Sequence, residues 1–298
     1  MRRIATTVAV VAMVTTAAMA GAAPALAAHR TTATASTTYY LSLGDSLAQG
    51  VQPNKSGASV ETNQGYPNQL YTALHMTNPT LKLVKLGCPG ETTASMINGG
   101  ICTYSDGSQL KQAAAFLSKH HGHVQLVTID IGANDLNPCV VLTSLKKIAE
   151  CLAKVFPTLE SNLATIMATL TAAEGSNIPT TIGMTYYVPE LAEWLEGTPT
   201  AKAIAKAGVT LGEGFGNLLS GVYTKFGAKV ADVFDAFQTT APFSKKVNTA
   251  FGKIPLPVAY ICSYTWECAA PPVGPNEHAN ILGYGVIANT FLTTYLGT

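Results

Sequence analysis

Two rhythms of apolar positions divide the chain. Short, nearly continuous apolar runs occur at residues 39–43, 81–86, 124–131, 179–186 and 229–233, each of a length that suits a buried strand. Between them apolar residues recur at spacings of three and four. Leu159, Leu163, Ile166, Met167 and Leu170 form one such stripe, and Leu142, Leu145, Ile148, Leu152 and Val155 form another just before it, the period of helices with one buried face. Both stripes are read as core and nothing more. Residues 202–226 carry Gly208, Gly212 and Gly216 four apart, which on a helix makes a smooth ridge for close packing. A nucleotide-binding glycine loop is the competing reading, but no strand leads into this stretch. Strands alternating with helices predict a parallel sheet covered on both faces. With no internal repeat and no long linker, one domain is expected over residues 38–298.

The first residues follow neither rhythm. Arg2 and Arg3 give a basic start, residues 4–20 are uncharged and rich in Ala, Val and Thr, and Ala25-Leu26-Ala27 is a small-x-small cleavage site. This reads as a signal peptide over residues 1–27, followed by a flexible leader over 28–37. A membrane anchor fits less well, because the apolar run is short and diluted by threonine. Export changes the reading of the six cysteines, Cys88, Cys102, Cys139, Cys151, Cys262 and Cys268. An even set in an exported chain points to disulfides rather than a metal site, although six allow about 15 connectivities.

Charge narrows the partners. The full chain carries +1; loss of residues 1–27 removes two arginines and no acid, leaving 1 − 2 = −1. A near-neutral mature chain whose one arginine is Arg30 has no footprint for nucleic acid or an anionic membrane surface. A monomer acting on a small-molecule or lipid substrate is expected, without a cofactor.

Candidate chemistry concentrates in four places. In Tyr39-Tyr40-Leu41-Ser42-Leu43-Gly44-Asp45-Ser46-Leu47 an apolar strand runs into Gly-Asp-Ser. A serine just past such a strand stands at the edge where open parallel sheets bind ligands. The tripeptide alone also suits a helix cap. The second place is Lys85-Leu86-Gly87-Cys88-Pro89-Gly90-Glu91-Thr92-Thr93, the third Ile129-Asp130-Ile131-Gly132-Ala133-Asn134-Asp135, and the fourth His278-Ala279-Asn280-Ile281-Leu282-Gly283-Tyr284. Gly44-Asp45-Ser46-Leu47 reproduces the motif that names the GDSL (SGNH) esterases and lipases. The other three blocks resemble that family's second glycine block, its Gly-x-Asn-Asp block and its terminal His-Pro-Asn block, in the same order over nearly the whole mature chain.

The resemblance implies a three-layer α/β/α sandwich around a central parallel sheet of about five strands, flavodoxin-like, and an esterase or lipase acting through an acyl-enzyme. It makes Ser46 the nucleophile and His278 the base, and assigns the oxyanion donors to the backbone N–H groups of Ser46 and Gly90 and the side-chain amide of Asn134. The chemistry agrees: a serine attacking an ester needs a base for its proton and fixed donors for the charge on the carbonyl oxygen. The rival reading is a secreted lipid- or carbohydrate-binding protein on the same fold. Acyl chain length, the alcohol and the choice between hydrolysis and acyl transfer stay open.

His120, His121 and His123 form a cluster that could be a metal site, but it is read as a solvated helix end. One departure from the family stands out. The aspartate usual three residues before the histidine is Pro275 here, leaving a backbone carbonyl, Asn276 or Glu277 to orient the ring; a main-chain carbonyl, or a partner within Cys262–Cys268, is the expectation. The cysteines are expected to pair as neighbours, Cys88 with Cys102, Cys139 with Cys151 and Cys262 with Cys268, closing loops beside the blocks. An apolar trough for long acyl chains is expected from the loops 95–104 and 243–270.

Overall fold

A computed structural model describes residues 36–140 and 144–298. The expected signal peptide, most of the expected leader and Leu142 of the second stripe lie outside them. All five apolar runs form strands: β1 (Thr38–Gly44), β2 (Leu81–Lys85), β3 (Val124–Asp130), β4 (Thr180–Met184) and β5 (Lys229–Ala231). They make one parallel sheet in the order β2-β1-β3-β4-β5. β1 is paired on both sides, Leu41 standing between Val84 and Val127. Its residues Tyr40 to Gly44 are all buried, as a strand covered on both faces requires.

The helices follow from the crossovers. Right-handed connections that run from β1 out to β2, then back past β1 to β3, β4 and β5, place the intervening helices on opposite faces. Helix Tyr66–His75 packs against the last helix, Ile281–Leu296, while Gln109–Lys119 packs against Leu145–Glu174, which in turn packs against Pro199–Lys225. This is the α/β/α sandwich. In this strand order the chain reverses direction between β1 and β3, and their carboxyl ends open a crevice where ligands bind.

The two predicted stripes belong to a single helix, Leu145–Glu174, with Pro157 inside it. Leu159, Leu163, Ile166, Met167 and Leu170 are buried in the main core. Ile148 and Leu152 instead form a small satellite cluster with Cys139. The glycine ridge does permit close approach: a Cβ on Gly212 would lie 2.6 Å from Val188 and one on Gly208 3.0 Å from it. The six cysteines form Cys88–Cys102, Cys139–Cys151 and Cys262–Cys268. Among the described residues no helix is long and apolar enough to cross a membrane. His120 packs between the rings of Tyr39 and Phe116, and His121 and His123 are exposed.

Candidate active site

Ser46 opens a four-residue helix, Ser46–Gln49, directly after β1. Asp45 caps that helix, its Oδ1 accepting the Leu47 N–H at 2.9 Å. Gly44 makes the turn possible. Its φ is 137°, and a Cβ there would lie 2.2 Å from the Asp130 carbonyl oxygen, so no other residue fits without moving β3. Gln109 clasps Gly44 from the side, accepting its N–H at 2.6 Å and donating to its carbonyl at 2.9 Å. The same Gln109 amide donates to Glu91 Oε2 at 2.9 Å. Glu91 is buried and its Oε1 has no partner among the described residues; burial pushes its carboxyl pKa up.

Gly90 stands in the turn after β2, at φ 81° with open space where a Cβ would be. The positive φ, not crowding, is what favours glycine there. Asn134 begins a short turn after β3. Its side-chain amide donates to the Glu91 carbonyl at 3.0 Å, and its Oδ1 accepts from Asn137 at 3.2 Å. Asp135 binds the Thr93 N–H at 2.8 Å and the Thr93 hydroxyl at 2.5 Å. That pair of bonds ties the helix after Gly90 to the turn that carries Asn134.

His278 lies between the Cys262–Cys268 segment and the last helix, and it is 9% exposed. Its Nδ1 contacts Asn276 Oδ1 at 2.8 Å, and its backbone N–H donates to the same oxygen at 3.1 Å. A backbone N–H can only donate, so the acceptor is the amide oxygen, and Asn276 Nδ2 is free to donate to Ser59 Oγ at 3.1 Å. The proton of the neutral ring therefore sits on Nδ1, which leaves the Nε2 lone pair open. Burial depresses the His278 pKa, with Glu277 and Asp45 pulling the other way. The expected orienting group is thereby corrected. The ring is held neither by a main-chain carbonyl nor by a side chain from Cys262–Cys268. Asn276 reaches it because an Asx-turn, side-chain oxygen to the N–H two residues on, carries that oxygen to the ring. The cysteine-bounded segment acts on the main chain instead, Trp266 N–H donating to the His278 carbonyl at 3.0 Å. Tyr187 donates to the Glu277 carbonyl at 2.7 Å.

Ser46, Asn134, Glu277 and His278 line two adjoining cavities. The smaller, about 350 Å³, adds Gly90, Ser59 and Glu61. The larger, about 760 Å³, is walled by Leu145, Ile148, Leu152 and Phe156 from one long helix and by Ile204, Leu211 and Phe215 from another. An apolar trough thus exists, but not where the loop composition placed it. The stripe read as core supplies one wall, and the glycine ridge at Gly208 and Gly212 belongs to the other. Residues 95–104 contribute nothing to it, and of the loop 243–270 only Glu267 does. Glu267, with Glu190, Glu193 and Glu277, makes one part of the trough acidic, and burial with those three neighbours pushes the Glu267 carboxyl up to about 7.

Comparison with known proteins gives a family and a fold. The family described as GDSL-like Lipase/Acylhydrolase matches residues 42–246, a span that holds Ser46, Gly90 and Asn134 and ends before His278. No curated protein sequence matches the chain. Among solved structures, an acetylxylan esterase from Geobacillus stearothermophilus, Axe2, is similar over 87% of this chain and 94% of its own, with TM-score 0.52 and 16% identity. An extracellular lipase from Streptomyces rimosus is similar over 87% of this chain and 100% of its own, with TM-score 0.54 and 15% identity.

Proposed function

The chain belongs to the GDSL-like lipase/acylhydrolase family, and on that premise we propose that it is a secreted carboxylic ester hydrolase in which Ser46 is the nucleophile and His278 its base. The observation that carries the proposal is convergence. Ser46, Asn134 and His278, from three separate parts of the chain, line both cavities, and Gly90 faces the smaller one.

In the proposed cycle His278 Nε2 takes the Ser46 proton as Oγ attacks the ester carbonyl. The carbonyl oxygen becomes an oxyanion, received by the N–H groups of Ser46 and Gly90 and by the Asn134 amide. Collapse expels the alcohol, which takes the proton from His278, and leaves the acyl group on Ser46. Water then repeats the sequence with His278 again as base, releasing the acid. Asn276 keeps the ring in the tautomer this requires.

The two cavities divide the substrate. The apolar trough suits an acyl chain, and the smaller cleft with Ser59 and Glu61 suits a polar alcohol. The extracellular Streptomyces lipase, the basic and apolar start of the chain and three disulfides support secretion, because disulfides persist in oxidising compartments.

An activity profile on p-nitrophenyl esters of rising chain length tests this reading. We expect kcat/KM to rise beyond acetate, and Ile204→Trp, which fills the trough, to lower it about tenfold for octanoate while leaving acetate within about twofold. Equal loss on both esters would remove the trough from the substrate site. A wild-type protein that neither turns over any ester nor reacts with a fluorophosphonate would return the fold to a binding role.

A further inference from the structure

Behind the nucleophile, two carboxyl groups are buried side by side. Asp45 is 2% exposed and Asp130 fully buried, and Asp130 Oδ2 lies 3.4 Å from the Asp45 backbone nitrogen. Tyr186 donates to Asp45 Oδ2 at 2.8 Å, and Tyr66 donates to Asp130 Oδ1. Neither carboxyl has a salt-bridge partner among the described residues. Asp130 is the last residue of β3, yet its polar atoms serve the nucleophile's helix: its Oδ2 accepts the Ala48 N–H at 3.2 Å and, at a long 3.4 Å, the Asp45 N–H. Its carbonyl accepts the Asp45 N–H at 3.0 Å.

We propose that Asp130 is a positioning residue for Ser46: its carboxyl, beside that of Asp45, holds the Asp45 and Ala48 N–H groups and thereby fixes the first turn of the helix that carries the nucleophile. This rests on the assignment of Ser46 made above. Two adjacent carboxylates buried without a salt-bridge partner do not both ionise readily. The donors present agree with a single charge, two phenol hydroxyls and the backbone N–H groups of Asp45, Leu47 and Ala48. Burial pushes both carboxyls up, and the charge of Asp45 adds to the rise at Asp130. With one proton held within the pair, Asp130 still accepts from Tyr66 and Ala48. Its place is functional in kind. The Ala48 N–H and the Ser46 Oγ belong to the same helical turn, so release of one lets the other drift, and a displacement of about 1 Å at a reacting atom can cost about 100-fold.

The test compares Asp130→Ala, Asp130→Asn and Tyr66→Phe with Ser46→Ala as reference, on p-nitrophenyl butyrate and a fluorophosphonate. Asp130→Ala is expected to lower kcat and the labelling rate together by about 100-fold, with KM and the Ki of free octanoate within about threefold. Asp130→Asn, neutral and still a donor and acceptor, should recover most of that loss. Tyr66→Phe, which removes one hydroxyl and leaves no cavity, should lower kcat about tenfold with KM unchanged, and it keeps the proposal testable if Asp130→Ala does not fold. Wild-type kcat in Tyr66→Phe, loss of kcat and octanoate affinity in equal measure, or an Asp130→Asn as slow as Asp130→Ala would each overturn the proposal. Full activity in Ser46→Ala would instead overturn the assignment of Ser46 and leave the role of Asp130 without an object.

Discussion

The serine and the histidine that face the same two cavities are held by opposite means. Around Ser46 the support is deep. Asp45, Asp130 and Gln109 are all buried, and they reach Gly44, Leu47 and Ala48 through side-chain bonds drawn from the residue after β1, the end of β3 and a helix 65 residues on. Around His278 the support is local. One half-buried amide two residues away holds the ring, while the Tyr187 hydroxyl and backbone bonds with Tyr264 and Trp266 hold the loop. On the proposed assignment the contrast has a reason: an attacking atom must be placed to a fraction of an ångström, whereas a base needs a ring direction and a tautomer, which a neutral acceptor in a short turn can supply.

The largest test of this contrast is Ser46→Ala. With the hydroxyl gone and the buried network intact, ester hydrolysis should fall by about a million-fold and fluorophosphonate labelling should vanish, with thermal stability close to wild type. Measured turnover near the wild-type rate would place the nucleophile elsewhere. Next in size is Asn134→Ala, which deletes the side-chain donor proposed for the oxyanion. A fall in kcat of about 100 to 1,000 fold is expected, with KM little changed, read from steady-state kinetics on p-nitrophenyl butyrate.

Asn276→Ala probes the lightly held side. Without its oxygen the ring loses its tautomer and direction, so kcat should fall by tens of fold, about an order of magnitude less than for Asn134. Asn276→Asp is the sharper variant. A carboxylate in that place keeps both bonds and adds a charge that favours the imidazolium, so the acid limb of the pH–rate profile should move up. An acid limb that stays where it is would mean that Asn276 does not face the ring in solution.

What could be read in the sequence divides along the same line. The five strands were legible because each is a short run dominated by apolar residues, most fully buried in β1 and β3, and the four blocks because each stands at a strand end or before the last helix. The neighbour pairing of the cysteines was stated from loop position, and the structure contains those pairs. The trough was not legible in Leu145, Ile148 and Leu152, since a helix that faces a cavity has the same period of apolar residues as one that faces a core. Nor was Gln109, whose role depends on packing against Gly44 from a helix far along the chain. The role of Asp130 is not legible within its block, because nothing in a strand-end aspartate announces a partner 85 residues away. Asn276 stands two residues before the histidine, among the groups the sequence leaves open for its ring. The signal that could have raised it is the Asn-x-His spacing itself, which is that of an Asx-turn.

The smallest expected effect concerns the remaining acidic neighbour of the histidine. Glu277 is exposed, its carbonyl rather than its carboxylate is engaged, and adjacent side chains in an extended turn point apart. Its carboxylate therefore acts on the ring only through its charge, which raises the His278 pKa while burial lowers it. Glu277→Gln removes the raising influence. The His278 pKa should fall, and the acid limb of the profile should move to lower pH, because Ser46 can transfer its proton only to a neutral ring and a lower pKa keeps the ring neutral further into acid. At pH 8 the ring is neutral in both proteins, so kcat should agree within about threefold, far from the roughly 10,000-fold cost of losing a triad carboxylate. Parallel pH–rate profiles of the two proteins decide the matter. A loss of several orders of magnitude at pH 8 with the fold intact would make Glu277 the ring's true partner, and the contrast between a deeply held serine and a lightly held histidine would fail with it.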